Sequence, residues 1–197
     1  MSAKLKKPYT PQQLIDGIFA LHTRRFGTVA EVLVKIMANA NWGKSISHDL
    51  YDEKNLKRIE VKFSRALRKN ISTIKETNIL EQIVSADDKI RMFASTEWQE
   101  YQFDCNIQQI KRKEFEVLYY GIFFSNVVQI FKIRSSDIGR DKELQYSDKQ
   151  HSGNVGEGQF HLNKKTYVHH KKKYFKKELT YEQILDLLVK TQNTNKF

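Results

Sequence analysis

The sequence is poor in the features that mark secreted and membrane proteins. It has a single cysteine, Cys105, so no disulfide can form within the chain, and a reducing compartment is favoured. Its longest uninterrupted apolar run, Val117 to Phe124, is far shorter than the run of about 20 residues that crosses a bilayer. No apolar segment with a cleavage site follows the basic N-terminus. We therefore expect a cytoplasmic protein with no membrane contact.

Acidic residues are also scarce relative to basic ones. The chain has 34 Lys and Arg against 23 Asp and Glu, a net charge of +11. The excess is clustered: residues 57–75 include a single acid, Glu60, and residues 164–177 include none. A basic surface of this kind favours a polyanionic partner such as nucleic acid.

Hydrophobic periodicity predicts one α/β (α+β) domain over residues 1–197, with a central mixed sheet flanked by helices. Helices are predicted at about 11–25, 28–40, 73–93 and 180–191, and strands at 46–51, 57–63, 101–107, 116–124 and 127–133. The polar, glycine-bearing stretch 139–158 predicts a long loop, and long loops in compact domains are usually functional or disordered.

One predicted strand carries a pattern with chemical meaning. Alternation along it places Glu60 and Lys62 on the face opposite Ile59 and Val61. Asp49 lies eleven residues before Glu60, and an antiparallel hairpin of that length brings the two carboxylates close together. They would repel each other without a cation between them, and oxygen ligands suit Mg²⁺. A surface Glu–Lys pair without function is the structural alternative.

The pattern Asp49…Glu60-Val61-Lys62, after two helices and before a longer one, resembles the PD-(D/E)xK nuclease superfamily, in particular the type II restriction endonucleases. The resemblance covers roughly residues 28–133. It departs from the family at His48, where the family has proline. A second acid in the turn, Asp52, is an alternative to Asp49.

The resemblance implies a restriction-endonuclease-like fold and an Mg²⁺-dependent hydrolysis of phosphodiesters. It implies that Asp49, Glu60 and the backbone carbonyl of Val61 hold the metal, and that Lys62 orients or activates the attacking water. Related enzymes often add an acid from the preceding helix, which here is Glu31. Thr28-x-x-Glu31 also fits a helix capping box, which would give Glu31 a structural role.

Residues 139–178 form the predicted DNA-recognition loop and basic segment, and residues 146–163 also resemble the recognition sequence of restriction enzymes. Phosphate contacts are predicted for Lys111, Arg112, Lys113, Lys164, Lys165 and Lys172. Base contacts are predicted for Lys149, Gln150, His151, Asn154, Gln159, His161 and Asn163. Gln108-Gln109 is a further candidate for contact with a phosphate or a base.

The function expected from these features is sequence-specific cleavage of double-stranded DNA by a homodimer. One metal site cuts one strand, and a two-fold dimer presents matched sites to both strands. The alternatives are a non-enzymatic DNA- or RNA-binding protein and a junction-resolving or repair nuclease. An H-N-H nuclease built on the histidines between 151 and 170 lacks a clear ββα spacing, and no tetrahedral zinc pattern is present.

Overall fold

The computed structural model describes residues 9–69, 72–150 and 154–194 and has a mixed α/β fold. The helices within these residues are α1 (Pro11–Ala20), α2 (Thr23–Ala38), α3 (Ile79–Val84), α4 (Asp88–Arg91), α5 (Ser135–Ile138), α6 (Tyr167–Lys173) and α7 (Tyr181–Thr194). The strands are β1 (Asn41–Trp42), β2 (Leu50–Asp52), β3 (Lys57–Arg65), β4 (Asp104–Ile110), β5 (Val117–Phe123), β6 (Val127–Arg134), β7 (Ser147–Gln150), β8 (Asn154–Asn163) and β9 (Phe175–Thr180).

The strands form two sheets, and the larger one is mixed as the sequence predicts. Its order is β1-β2-β3-β5-β6-β9, and β3 pairs with β5 in parallel while its other pairs are antiparallel. Every residue of β5 is buried, because both faces of this central strand are covered. One face packs on α1, α2 and α7, and the other packs on α6 and the smaller sheet β4-β8-β7.

Helix caps explain one correct prediction and one wrong one. Thr10 and Gln13 form the capping box that begins α1. However, α1 ends at Ala20 and not near residue 25, and α2 already begins at Thr23. Thr28 therefore lies inside α2, where its hydroxyl donates to the carbonyl of Arg24. The capping box predicted at Thr28 is wrong, and Glu31 has no capping role.

The long helix predicted at 73–93 is also wrong. The region contains only α3 and α4. Asn78 accepts a hydrogen bond from the Lys75 N–H in a turn before α3. Asp87 caps the start of α4, where its side chain accepts from the Lys89 N–H. The helical spacing in 73–93 predicts that its aliphatic side chains face the core, but they are exposed; these are Ile74, Ile79, Leu80, Ile83 and Val84. The strand predicted at 46–51 is shorter too, since β2 begins at Leu50.

The loop predicted at 139–158 is wrong as well. The region forms a 3-10 turn at Lys142–Leu144, then β7 and the first half of β8. Gly158 lets the ring of Tyr146 lie against the backbone of β8, where a Cβ atom would be 2.0 Å from the Tyr146 hydroxyl. Phe160 and Leu162 on the same strand are fully buried. A glycine that permits close packing has the same sequence signature as a glycine in a loop.

Candidate active site

The three residues of the sequence pattern converge at the free edge of β3. β2 pairs with β3 only from Lys57 to Ile59, so the edge beyond Ile59 is open to Asp49, which directly precedes β2. The Val61 N–H donates to Asp49 Oδ2 at 2.8 Å. Lys62 Nζ lies 2.5 Å from Glu60 Oε1 and 4.0 Å from Asp49 Oδ2. Asp49, Glu60 and Lys62 therefore form one charged cluster.

The backbone of Val61 takes part in the same cluster. In a β-strand the N–H and C=O groups of one residue point to the same side. Since the Val61 N–H points to Asp49, its carbonyl oxygen points to the same open edge and away from β5. The carbonyl is thus placed on the side of the strand where the acidic side chains meet.

Burial makes this cluster electrostatically unusual. Glu60 is only 9% exposed. That burial raises the pKa of Glu60 to about 7, an effect that Lys62 opposes and the charge of Asp49 reinforces. Burial also disfavours the Lys62 ammonium, but its attraction to Glu60 and Asp49 outweighs this, and the pKa of Lys62 is raised. Lys62 is therefore a cation at neutral pH.

The two alternative acids differ in their surroundings. Glu31 lies in the middle of α2, where burial and the charge of Asp49 raise its pKa while Lys62 lowers it. Glu31 is thus electrostatically coupled to the cluster. Asp52 caps the hairpin turn instead, since its carboxylate accepts hydrogen bonds from the backbone and side-chain nitrogens of Asn55 at 3.1 and 2.7 Å. This is the usual role of an aspartate in a turn.

Glu114 was not predicted from the sequence, although its charge also raises the pKa of Glu60. It lines a groove of about 510 Å³ together with the basic turn Lys111–Lys113. Lys111 Nζ lies 3.4 Å from Glu157 Oε1, and the Arg112 guanidinium lies over the Tyr146 ring. Glu114, which directly follows the predicted phosphate-contacting turn, is thus electrostatically coupled to Glu60. Lys113 in that turn is exposed.

The predicted base-contacting residues lie on the smaller sheet. Gln159 Oε1 accepts a hydrogen bond from Asn106 at 3.2 Å, and His161 Nδ1 lies 2.7 Å from Asp104 Oδ1. Asn163 instead holds a turn, since its side-chain oxygen accepts from the Lys165 N–H at 2.9 Å. Lys149 is exposed on β7, the backbones of Gln150 and Asn154 pair with each other, and His151 lies outside the described residues.

The lysines after β8 have mixed surroundings. Lys173 Nζ is 3.1 Å from Asp141 Oδ2, and Lys171 Nζ is 3.9 Å from Glu178 Oε2. Lys165 and Lys172 are exposed, and Lys164 is half-buried. The exposed lysines are thus better placed to meet a phosphate backbone than the paired ones.

A second group of possible metal ligands consists of Asp141, Glu143 and His169. Asp141 Oδ2 already accepts hydrogen bonds from His169, Lys173 and Tyr174. The other ring nitrogen of His169 lies 3.2 Å from Glu143 Oε2. This network ties α6 to the 3-10 turn before it, and its donors already neutralise the carboxylate.

Two buried side chains of chemically reactive types, Cys105 and His170, are inert at neutral pH. Burial raises the pKa of the Cys105 thiol to about 12. Burial lowers the pKa of His170 to about 4, and its Nδ1 lies 2.9 Å from the Tyr120 hydroxyl in the core. Neither a cysteine nucleophile nor an acid–base function of His170 is supported.

No helix among the described residues is long and apolar enough to span a membrane. Comparison with known protein families, curated proteins and solved structures found no match for this chain.

Proposed function

We propose that this chain is an Mg²⁺-dependent endonuclease that hydrolyses phosphodiester bonds of double-stranded DNA at a specific sequence. The observation that carries the proposal is the convergence of Asp49, Glu60 and Lys62 at the open edge of a buried strand. The clustered basic residues and the net charge of +11 favour a polyanionic substrate. The resemblance of the pattern to PD-(D/E)xK nucleases agrees with this chemistry.

The donor set of the cluster fits Mg²⁺. Asp49, Glu60 and the Val61 carbonyl would hold the ion, and Glu31, which is electrostatically coupled to Asp49 and Lys62, is a further candidate ligand. All these donors are hard oxygen atoms, as Mg²⁺ prefers. Burial raises the pKa of Glu60 and the charge of Asp49 raises it further, so a bound cation would stabilise the ionised form of Glu60. A bound Mg²⁺ ion would neutralise charge on the phosphate and acidify a bound water molecule.

The protein itself supplies orientation and a positive charge. Lys62 is a cation, so its role is to orient the attacking water and to balance negative charge that develops on the phosphate. Its 2.5 Å contact with Glu60 fixes the ammonium beside the acids. Lys111, Lys113 and the exposed lysines of the C-terminal region would hold the DNA backbone.

Cleavage of a long DNA of mixed sequence in Mg²⁺ tests the proposal. Discrete fragments are expected from the wild-type protein. Glu60→Gln and Lys62→Ala should lower cleavage by at least a hundredfold while DNA binding persists. Glu53→Gln and Lys54→Ala, two exposed positions in the adjacent hairpin turn, are matched controls that should cut normally.

The other outcomes separate the alternatives. A smear of fragments would indicate a non-specific nuclease, and cleavage restricted to branched DNA would indicate a junction-resolving enzyme. A protein that only binds nucleic acid should show no cleavage, and it should bind more tightly when Glu60 is replaced, because the acid then only repels phosphate.

We further propose that the active form is a homodimer in which a second copy covers the exposed aliphatic residues of α3. Ile79, Leu80, Ile83 and Val84 expose between 45% and 77% of their surface. A contiguous exposed apolar patch is typical of an interaction surface. Two-fold pairing would present two metal sites to two antiparallel strands. Sedimentation should show a dimer for the wild type and a monomer for Leu80→Glu; a wild-type monomer would refute the dimer.

A further inference from the structure

A short loop, residues 43–48, connects β1 to the first candidate metal ligand, Asp49. The Gly43 N–H donates to the Asp49 carbonyl oxygen at 2.9 Å, and the Asp49 N–H donates to the Ile59 carbonyl oxygen at 3.1 Å. A Cβ atom on Gly43 would lie 2.4 Å from the His48 carbonyl oxygen, so the two ends of the loop approach too closely for a residue with a side chain. The base of the loop is thus closed tightly, and it is joined to β3 at the metal ligand itself.

Ile46 occupies the apex of this loop and is fully exposed, with a relative exposure of 108%. Hydrogen bonds on either side of it hold the turn. Ser45 Oγ accepts from the Ser47 N–H at 3.2 Å and lies 3.1 Å from Ser47 Oγ, which in turn lies 3.0 Å from His48 Nδ1. Because the polar neighbours of Ile46 bond to one another, the isoleucine forms the apolar tip of a polar turn.

The position of Ile46 distinguishes it from other exposed aliphatic residues. Exposed apolar side chains are common on protein surfaces, but Ile46 lies three residues before Asp49, in a loop that a hydrogen bond closes at that residue. Three residues span at most about 11 Å, which corresponds to about three base steps of B-form DNA. A DNA strand with a phosphate at Asp49 would therefore have base pairs within reach of Ile46.

The charges of the loop favour DNA as the molecule that it meets. The loop contains the exposed Lys44 and no acid. Hydrogen bonds from Arg58 lower the pKa of Glu116, and the charge of His48 lowers it further. Arg58 and Glu60 lie on the same face of β3. The loop is therefore electrostatically coupled to the side of the strand that carries the candidate site, and it can approach phosphates without repulsion.

We propose that Ile46 is a wedge that inserts between two neighbouring base pairs of bound DNA beside the cleavage position. The inference rests on the proposed function and adds a positioning residue to it. Proteins that deform DNA frequently insert an isoleucine, leucine, phenylalanine or methionine between base pairs, which unstacks and kinks that step. Burial of the Ile46 side chain offsets part of the cost of unstacking. TA and CA/TG steps unstack most easily, so we expect one of them at the point of insertion.

Permanganate footprinting on a long DNA of mixed sequence tests the inference, because permanganate oxidises thymines that are no longer stacked. The protein is bound at saturating concentration with Ca²⁺ in place of Mg²⁺, and cleavage positions are mapped on the same DNA with Mg²⁺. The wild type should give a reactive thymine in a TA or CA/TG step within about three base steps of each cleavage position. Ile46→Ala should lose this reactivity and should bind the same sites about 10- to 100-fold more weakly.

Two further variants are the controls. Ile46→Leu keeps an apolar wedge and should keep the reactive thymine. Ile74→Ala makes the same substitution at another isoleucine, which is 65% exposed and lies outside the loop, and it should match the wild type. Because the Ile46 side chain is fully exposed, Ile46→Ala should have the Tm of the wild type, which separates a lost footprint from unfolding.

The outcomes distinguish the wedge from the nuclease. Reactivity that persists in Ile46→Ala, or cleavage positions without a reactive thymine nearby, would overturn the inference and leave the nuclease standing. A reactive thymine that depends on Ile46, in a protein that cuts no DNA, would support the wedge and refute the nuclease. A wild type with neither reactivity nor cleavage would refute both.

Discussion

Replacing Glu60 by glutamine should change how the stability of the metal-free protein depends on pH. Burial, opposed by Lys62 and reinforced by Asp49, raises the pKa of Glu60 from 4.5 to about 7. Between these values the folded protein holds a proton that the unfolded chain releases. The stability that this proton contributes is therefore complete below about pH 4.5 and is lost as the pH rises through 7.

The size of the effect follows from the pKa difference. Each pKa unit corresponds to about 1.4 kcal/mol, so the ionisation of Glu60 should lower the free energy of unfolding by about 3 kcal/mol between pH 4.5 and pH 8. In a domain of this size 1 kcal/mol shifts Tm by roughly 2–4 °C. Relative to wild type, the Tm of Glu60→Gln should thus gain roughly 6–12 °C over this pH range, because glutamine cannot ionise.

Thermal unfolding in EDTA at several pH values measures this difference. Glu53→Gln, which removes an exposed acid in the hairpin turn, is the matched control for the loss of a carboxylate outside the cluster. Glu116→Gln should show the opposite trend, because hydrogen bonds from Arg58 lower the pKa of Glu116 and its stabilisation is lost as the pH falls. At pH 8, Mg²⁺ should raise the Tm of the wild type more than that of Glu60→Gln. A difference between Glu60→Gln and wild type that stays constant with pH would refute the reasoning.

Three further predictions concern the ligand assignment, DNA binding and packing. Asp49→Asn should lower cleavage at least a hundredfold, whereas Asp52→Asn should change it only a few-fold, and the reverse ranking would move the first metal ligand to Asp52. Log K for DNA plotted against log salt should have a slope of about −5 to −7, and Lys172→Ala should reduce its magnitude by about 1; a slope near zero would argue against a basic DNA-binding surface. Gly121→Ala should destabilise the protein by about 1–3 kcal/mol, because its Cβ would lie 2.2 Å from the Phe63 ring and 2.5 Å from a backbone oxygen. Gly17→Ala in α1, with no atom within 4 Å of its Cβ, should instead stabilise it by about 0.5–1 kcal/mol in chemical denaturation.

The local pattern of the candidate site was readable from the sequence. Strand alternation placed Glu60 and Lys62 on one face, and hairpin length placed Asp49 near them, because both depend on residues close in the chain. Glu31 was harder to interpret, since an apparent capping box competed with a role at the site. The capping role of Glu31 is excluded only by the structure, in which α2 begins at Thr23 and Thr28 lies inside the helix.

Features that depend on distant contacts were missed. The hydrogen bond from the Asn106 side chain to Gln159 joins residues that are 53 apart in the chain, and no local pattern pairs them. The β7–β8 pair was taken for a loop because a glycine that permits close packing, as Gly158 does against Tyr146, looks like a loop glycine in the sequence. The aliphatic residues of 73–93 had helical spacing, but Asn78 and Asp87 break the helix, and tertiary structure leaves their apolar side chains exposed.

The parallel pairing of β3 with β5 has a consequence for the order in which the molecule assembles. Arg58 and Glu116, which join the two strands through hydrogen bonds, are 58 residues apart in the chain. We expect two strands so far apart in the chain to pair late in folding, because closing the long loop between them costs conformational entropy before their contacts form. A nascent chain can form the hairpin of β2 and β3 early, but its acids stay hydrated until β5 has been synthesised and docked. We therefore expect the raised pKa of Glu60 to arise late in folding, and to be absent from a truncated chain that ends before β5.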